Sequence, residues 1–282
     1  MSASPSDSPP PSPDVEDGLE YWKTQPASLD GVLGGFGSGS LPRVDSLGSR
    51  LFLLNLMPEL STVPSALRPL VPPPPRRTRA LDVGAGIGRV TADVLLHLVS
   101  DVVLLEPVDS FIQEALARGR ASATETAAPS TPRQHPWKGL ADGATSVTFL
   151  RGTLQDFDPA RPHHAEMLDR VGFAPPETDA VSGFDVVWCQ WCLGHLSDAD
   201  LAAFLRRSRA ALRDPRRSLI VVKENLCSDA LDGSACVVFD DQDSSLTRSD
   251  MAWKNVFSQA GLELIHEQVQ EGLPAGLYVV KM

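Results

Sequence analysis

The chain has 282 residues, 42% of them apolar and 22% charged, which is long enough to bury a core and too apolar for a disordered protein. Its formal net charge of −11 argues against a nucleic-acid backbone as the main partner and permits a cationic one. No apolar run approaches the roughly 20 residues that span a bilayer, the N-terminal MSASPSDSPPPSPDVED lacks the basic and apolar parts of a secretory signal, and four cysteines are too few for a disulfide framework. The expectation is an intracellular protein, cytoplasmic, nuclear or both, acting as a monomer away from membranes.

Ten of the first thirteen residues are Ser or Pro, so residues 1–18 are expected to form a disordered tail that cannot offset its ordering entropy. Residues 19–282 read as one domain. Pro72 to Pro75 with Arg76 and Arg77 reads as a stiff surface connector. Ala80 to Val83 is a short apolar run that ends in glycines and leads into a helix over Ile87–Leu98. Val102–Leu105 is a second strand, followed by a helix over Asp109–Ala117, and Val147–Leu150 a third. Asp185–Trp188, a helix over Asp198–Leu212, Leu219–Val222 and a helix over Ser249–Ala260 continue the alternation. Leu262–Val269 and Leu277–Lys281, joined through Glu271–Gly276, read as a closing antiparallel hairpin. Residues 119–146 and 158–183 are small, polar and proline-interrupted and read as surface insertions. Strands alternating with helices predict an α/β fold, a mostly parallel sheet with helices on both faces.

Leu81-Asp82-Val83-Gly84-Ala85-Gly86-Ile87-Gly88-Arg89 closes the first strand and opens a helix. Glycines there permit a tight turn and a close approach of ligand to backbone. The dinucleotide fingerprint would need a glycine at Arg89, so the loop favours a ligand without a pyrophosphate. Glu106, at the end of the second strand, can accept the hydroxyls of a ribose diol. Together they suggest S-adenosylmethionine. In Thr153-Leu154-Gln155-Asp156-Phe157, a loop after the third strand could hold an adenine ring against Leu154, or Asp156 could form an ordinary Asx-turn.

Trp188 to Leu196 falls where a doubly wound sheet presents its crevice, and His195 there is a candidate general base, the alternative being a histidine that caps or packs against the next helix. Cys189-x-x-Cys192 invites a metal or redox reading, but its place at a strand end and the spacing of Cys227 and Cys236 favour buried small hydrophobes, with no metal. Asp240, Asp241 and Asp243, beyond Lys223-Glu224-Asn225, could hold a cationic substrate or form a solvated loop before a helix cap.

These segments resemble the protein α-N-terminal methyltransferases, which methylate the free amino terminus of proteins beginning Xaa-Pro-Lys. The resemblance runs over roughly residues 20–282 outside the two insertions and rests on particular segments. They are Tyr21-Trp22-Lys23, Asp30 to Gly37, Leu81 to Arg89, Leu154 to Phe157, Gln190-Trp191, Gly194-His195-Leu196, Phe204 to Arg207 and Asp241 to Ser245. It implies a Rossmann-like, seven-stranded methyltransferase sheet and S-adenosyl-L-methionine as cofactor. Gly84, Gly86 and Arg89 would meet its methionine side, Glu106 and Pro107 its ribose side, Leu154 and Gln155 its adenine, with Gln190 a further contact. His195 and Asp243 match the catalytic pair. Trp22, Leu33, Gly34, Trp191, Asn225 and Asp240 match the peptide channel, with residues 19–40 as a substrate lid. The chain departs from the family at Glu106 and Glu224, where aspartate is common. A small-molecule methyltransferase, or a non-catalytic binding module on the same fold, stays open on the residues alone.

Overall fold

The chain folds around one twisted sheet, seen here in a computed structural model that describes residues 12–61, 63, 76–124, 135–174, 176 and 182–282. Its strands are β1 Arg79–Val83, β2 Asp101–Glu106, β3 Ser146–Arg151, β4 Glu166–Gly172, β5 Val186–Gln190, β6 Leu219–Cys227, β7 Val237–Asp240, β8 Ser245–Ser249 and β9 Val279–Lys281. They lie in the order β4-β3-β2-β1-β5-β6-β8-β7, with β9 also paired to β6. The six from β3 to β8 in this order run parallel, whereas β4, β7 and β9 are antiparallel to the strands they pair with.

Every residue of β1, β2 and β5 is buried, as strands covered on both faces require. The helices are α1 Val15–Thr24, α2 Leu29–Val32, α3 Leu41–Leu56, α4 Arg89–Asp93, α5 Asp109–Ala123, α6 Asp198–Ala210 and α7 Asp250–Gln259. Ala80, Val102, Leu104, Phe149 and Trp188 point to one face and pack with Leu53 of α3, Val90 of α4 and Ile112 of α5. Their chain neighbours Leu81, Val103, Leu105, Leu150 and Cys189 point the other way and pack with Phe204 of α6 and Val256 of α7. The two-residue period of a strand thus builds one core on each face.

The α/β class and the mostly parallel sheet agree with the sequence, but the sheet has nine strands where seven were expected. Three are additions. β4 lies in the 158–183 segment that read as an insertion; as a charged, half-exposed edge strand it carries no apolar alternation. β7 and β8 are short strands that flank the acidic turn. In the other direction, Leu262–Val269 forms no strand. The closing antiparallel pairing is kept only where Gln268 and Gln270 N–H groups donate to Met282 and Val280 carbonyls, at 2.9 and 2.8 Å.

Other boundaries also move. The 87–98 helix shrinks to α4 because Val94, at φ −125° and ψ −65°, leaves the helical region before a 3-10 turn at Leu95–His97. Residues 119–146 are not simply a surface insertion: α5 continues to Ala123, and Trp137 is buried with its ring stacked on Phe149 at 6.1 Å. Helix α1 begins at Val15, capped by the Asp14 carboxylate on the Glu16 and Asp17 N–H groups, so residues 15–18 are helical rather than tail. Residues 1–11 and the Pro72–Pro75 connector lie outside the described residues.

Candidate active site

The carboxyl ends of β1, β2, β3 and β5 meet under α1. At the β1 turn Gly84, Gly86 and Gly88 all have left-handed backbones, φ +59°, +56° and +75°, which L side chains adopt at a cost. A Cβ on Gly84 would also lie 2.5 Å from the Cys192 Cβ, so glycine is what lets the ends of β1 and β5 close together. Both cysteines of the C-x-x-C pair are buried in the core beneath this point, and the Cys192 thiol donates to the Val83 carbonyl.

Glu106 ends β2 with its carboxylate accepting the Gly86 N–H and the Val108 N–H, both at 2.8 Å. Burial, with Asp82 nearby, pushes its carboxyl up to about 7 against the pull of those two donors. After β3, the Leu154–Phe157 loop is clasped by Arg207 of α6, whose guanidinium donates to the carbonyls of Phe157 (3.0 Å), Leu154 (2.8 Å) and Gln155 (3.1 Å). The Gln155 amide in turn donates to the His195 carbonyl at 3.2 Å.

The turn carrying His195 is held from two directions. Glu224 accepts the backbone N–H groups of Cys192 (3.0 Å) and Leu193 (2.9 Å). Arg248, fully buried, donates to the carbonyls of Leu193 (3.2 Å) and Leu196 (2.6 Å). Just before it, Trp191 has φ +54°, an uncommon backbone for an aromatic residue. Held strain of this kind points to a site.

Two cavities open here and share a wall. The first is lined by all eight residues assigned to the cofactor: Gly84, Gly86, Arg89, Glu106, Pro107, Leu154, Gln155 and Gln190. The second is lined by Leu33, Asn225, Asp243 and Glu224 among others. Trp22, Val32, Trp191 and His195 line both. The Trp22 indole N–H donates to His195 Nε2 at 3.0 Å. Among the described residues, His195 Nδ1, Asp243 Oδ1 and the Trp191 indole nitrogen are buried without hydrogen-bond partners. Burial lowers the His195 pKa from its ordinary value, opposed in part by Asp243.

Two assigned residues are not brought in. Gly34 is exposed with φ +56°, and Asp240 is exposed with its carboxylate on the Gln242 N–H; neither lines either cavity. Conversely, the sequence reading missed Val15, Gly18 and Leu19 of α1 and Val32, which line the first cavity. The spacing of Val15, Leu19 and Trp22 on one helical face was the available signal, hidden because the expected tail ran through it. Gly18 has a steric reason: a Cβ there would lie 3.2 Å from His195 Nδ1 and 3.4 Å from the Asp243 carbonyl oxygen.

The first cavity fits S-adenosylmethionine in its chemistry. It offers a guanidinium for a carboxylate at Arg89, a buried carboxylate for a diol at Glu106, and apolar walls at Val108, Phe111 and Leu154 for a purine. The chain also matches a family profile described as AdoMet dependent proline di-methyltransferase over residues 12–131 and 143–282. Alpha N-terminal protein methyltransferase 1 of Schizosaccharomyces pombe is 34% identical over 94% of this chain and 93% of its own length. N-terminal Xaa-Pro-Lys N-methyltransferase 1 of Homo sapiens is 32% identical over 92% and 89%. A Leishmania major structure described as a SAM-dependent methyltransferase superposes with a TM-score of 0.63 at 30% identity, covering 94% of this chain and 80% of that one. On this footing the chain belongs to the AdoMet-dependent proline di-methyltransferases.

Proposed function

We propose that this protein transfers methyl groups from S-adenosylmethionine to the free α-amine of proteins that begin Xaa-Pro-Lys or Xaa-Pro-Arg. The observation that carries the reading is the shared wall: a cofactor-shaped cavity and a second, acid-lined cavity meet at Trp22, Trp191 and His195. The partly apolar, acid-lined second cavity suits a peptide terminus, and the chain's negative charge suits a cationic one. We take the partner to be a protein terminus rather than nucleic acid or membrane, met by a monomer in the cytoplasm, the nucleus or both.

When bound, the cofactor supplies an electrophilic methyl on a sulfonium; the protein must supply an amine with a free lone pair. An α-amine has a pKa of about 7.7–8.0, so it arrives largely protonated at neutral pH. Asp243 Oδ1 lines the second cavity and is a buried acceptor with no partner among the described residues, and it takes the amine's hydrogen bond and then its proton. His195 is kept neutral by burial, but its Nε2 is occupied by Trp22; it accepts a proton there only after the indole lets go. Trp191 offers its unpaired indole N–H to a peptide carbonyl, and Asn225 orients the backbone beside it. Holding the nitrogen in line with the methyl and sulfur is the larger contribution.

The second-position proline would pack between Trp22 and Leu33. The third-position lysine or arginine would meet the exposed Asp240 or Asp241, which lie outside both cavities. The test is incubation with labelled cofactor and a peptide beginning Ser-Pro-Lys, beside its N-acetylated twin. Label on the α-nitrogen of the free peptide alone supports the reading; label on the acetylated peptide, or on a lysine side chain, refutes it.

A further inference from the structure

Asp45, in the middle of α3, lies outside both cavities and every residue assigned to the reaction, yet it is fully buried among charged groups. Its Oδ2 accepts Arg89 Nη1 at 2.5 Å; its Oδ1 accepts Lys223 Nζ at 2.7 Å and Gln190 Nε2 at 2.8 Å. Lys223 is tied further to Ser49 Oγ (3.0 Å) and Gln270 Oε1 (2.9 Å), and Gln190 Oε1 accepts the Trp188 indole N–H at 3.1 Å. Burial alone would raise the Asp45 carboxyl, but Arg89 and Lys223 outweigh it and hold it below its ordinary value, so it is an anion at neutral pH.

The arrangement joins three elements at one side chain: α4 through Arg89, the end of β5 through Gln190, and β6 through Lys223. Arg89 and Gln190 are on the cofactor cavity; Asp45 is behind them. An arginine side chain has many rotamers, and one donor edge pinned to a buried carboxylate leaves the rest of its planar fork pre-aimed. Within this hydrogen-bonded cluster two cations face one carboxylate, and although Asp82 and Asp93 also lie within electrostatic reach of Arg89, neither is hydrogen-bonded to it, which leaves its free donors for a ligand carboxylate.

We propose that Asp45 is a positioning residue that aims Arg89 at the amino-acid end of the cofactor, with Gln190 fixed beside it, so that preference for ligands bearing that carboxylate depends on it. The inference rests on the assignment of Arg89 to that end of the cofactor. It is tested by calorimetric titration of the full chain with two ligands, S-adenosylhomocysteine and 5′-methylthioadenosine, the second lacking the amino-acid portion. Asp45→Asn should weaken S-adenosylhomocysteine by about tenfold or more, the scale of one oriented charge-assisted hydrogen bond, while leaving 5′-methylthioadenosine within about twofold. Equal losses for both ligands, or none for either, would overturn the proposal. Asp45→Glu keeps the charge but displaces it by a methylene, so it guards against a variant that does not fold, and it must shift the affinity ratio the same way. Arg89→Ala separates the two failures. If it leaves the ratio intact, the Arg89 assignment is wrong; if it abolishes the ratio while both Asp45 variants preserve it, only the role of Asp45 falls.

Discussion

The indole N–H of Trp22 donates to Nε2 of His195 at 3.0 Å across 173 residues of sequence. An accepting Nε2 places the imidazole proton on Nδ1, so the helix covering the site sets which nitrogen of His195 carries the proton. The same helix is anchored at its start, where the Asp14 N–H donates to Ser244 Oγ at 2.8 Å, next to Asp243. Replacing Trp22 with Phe removes a donor that favours the neutral ring. The His195 pKa should rise toward the ordinary imidazole value, read by NMR titration of its ring protons. A further fall would show that the indole does not act through this bond.

His195→Ala should cut turnover of a Ser-Pro-Lys peptide by about a hundredfold or more, the usual scale for a lost acid–base group, while calorimetric affinity for the cofactor changes little. Collapse of cofactor binding would make His195 a wall of the first cavity and nothing more. Substituting glutamate for lysine at the third peptide position should weaken binding, since a like charge would approach Asp240 and Asp241; equal turnover of the two peptides would remove those residues from recognition.

Gly18→Val should reduce peptide turnover at least about tenfold, because a branched side chain must displace His195 Nδ1 or the Asp243 carbonyl, each already within 3.4 Å of a bare Cβ. Steady-state kinetics beside a thermal melt would separate this from unfolding. Unchanged turnover in a folded variant would mean that α1 has room to lift.

Arg207→Lys leaves one ammonium where three carbonyls were gathered by a planar fork. Affinity for S-adenosylhomocysteine and for 5′-methylthioadenosine should fall together, by about tenfold, because on the proposed assignment the loop meets the adenine end that both share. A loss confined to one ligand would show that the loop does not hold the purine.

With Glu106 holding the ribose as proposed, cofactor binding should depend on pH. Its carboxyl is raised from 4.5 to about 7 in the folded chain by burial, so its contribution to the stability of the cofactor-free protein is full below about 4.5 and is lost as pH rises through about 7. Ribose hydroxyls donate to the ionised form, so cofactor affinity should increase over the same rise. Titrations from pH 6 to 8 should show that slope in the parent, and a weaker, flatter profile in Glu106→Gln. An identical slope in the variant would place the titrating group elsewhere.

Much of the machinery was legible in the linear chain because it sits in short stretches with local causes. The G-x-G-x-G turn after β1, the acid closing β2 and the histidine after β5 each follow from what a strand end must do. All eight cofactor assignments line one cavity for that reason. Strands outside the parallel core were not legible: β4 and β7 lie at the two edges of the sheet, β8 is a short strand beside β7, and none has the continuous burial that marks the central strands. Gly34 and Asp240 fit a motif but point to solvent, since a motif fixes neighbours along the chain and not which way a turn faces.

What sequence alone determined is the alternation of the central strands with helices and the identity of the groups at the parallel strand ends, because backbone geometry carries each strand's last residues to one rim of the sheet. What only the tertiary structure decided is how residues far apart in the chain share protons and charge. Trp22 on His195, Arg248 behind the His195 turn and Asp45 among Arg89, Gln190 and Lys223 are buried polar contacts. Removed from water, each such group must find a partner in space, and no local spacing says which one it finds.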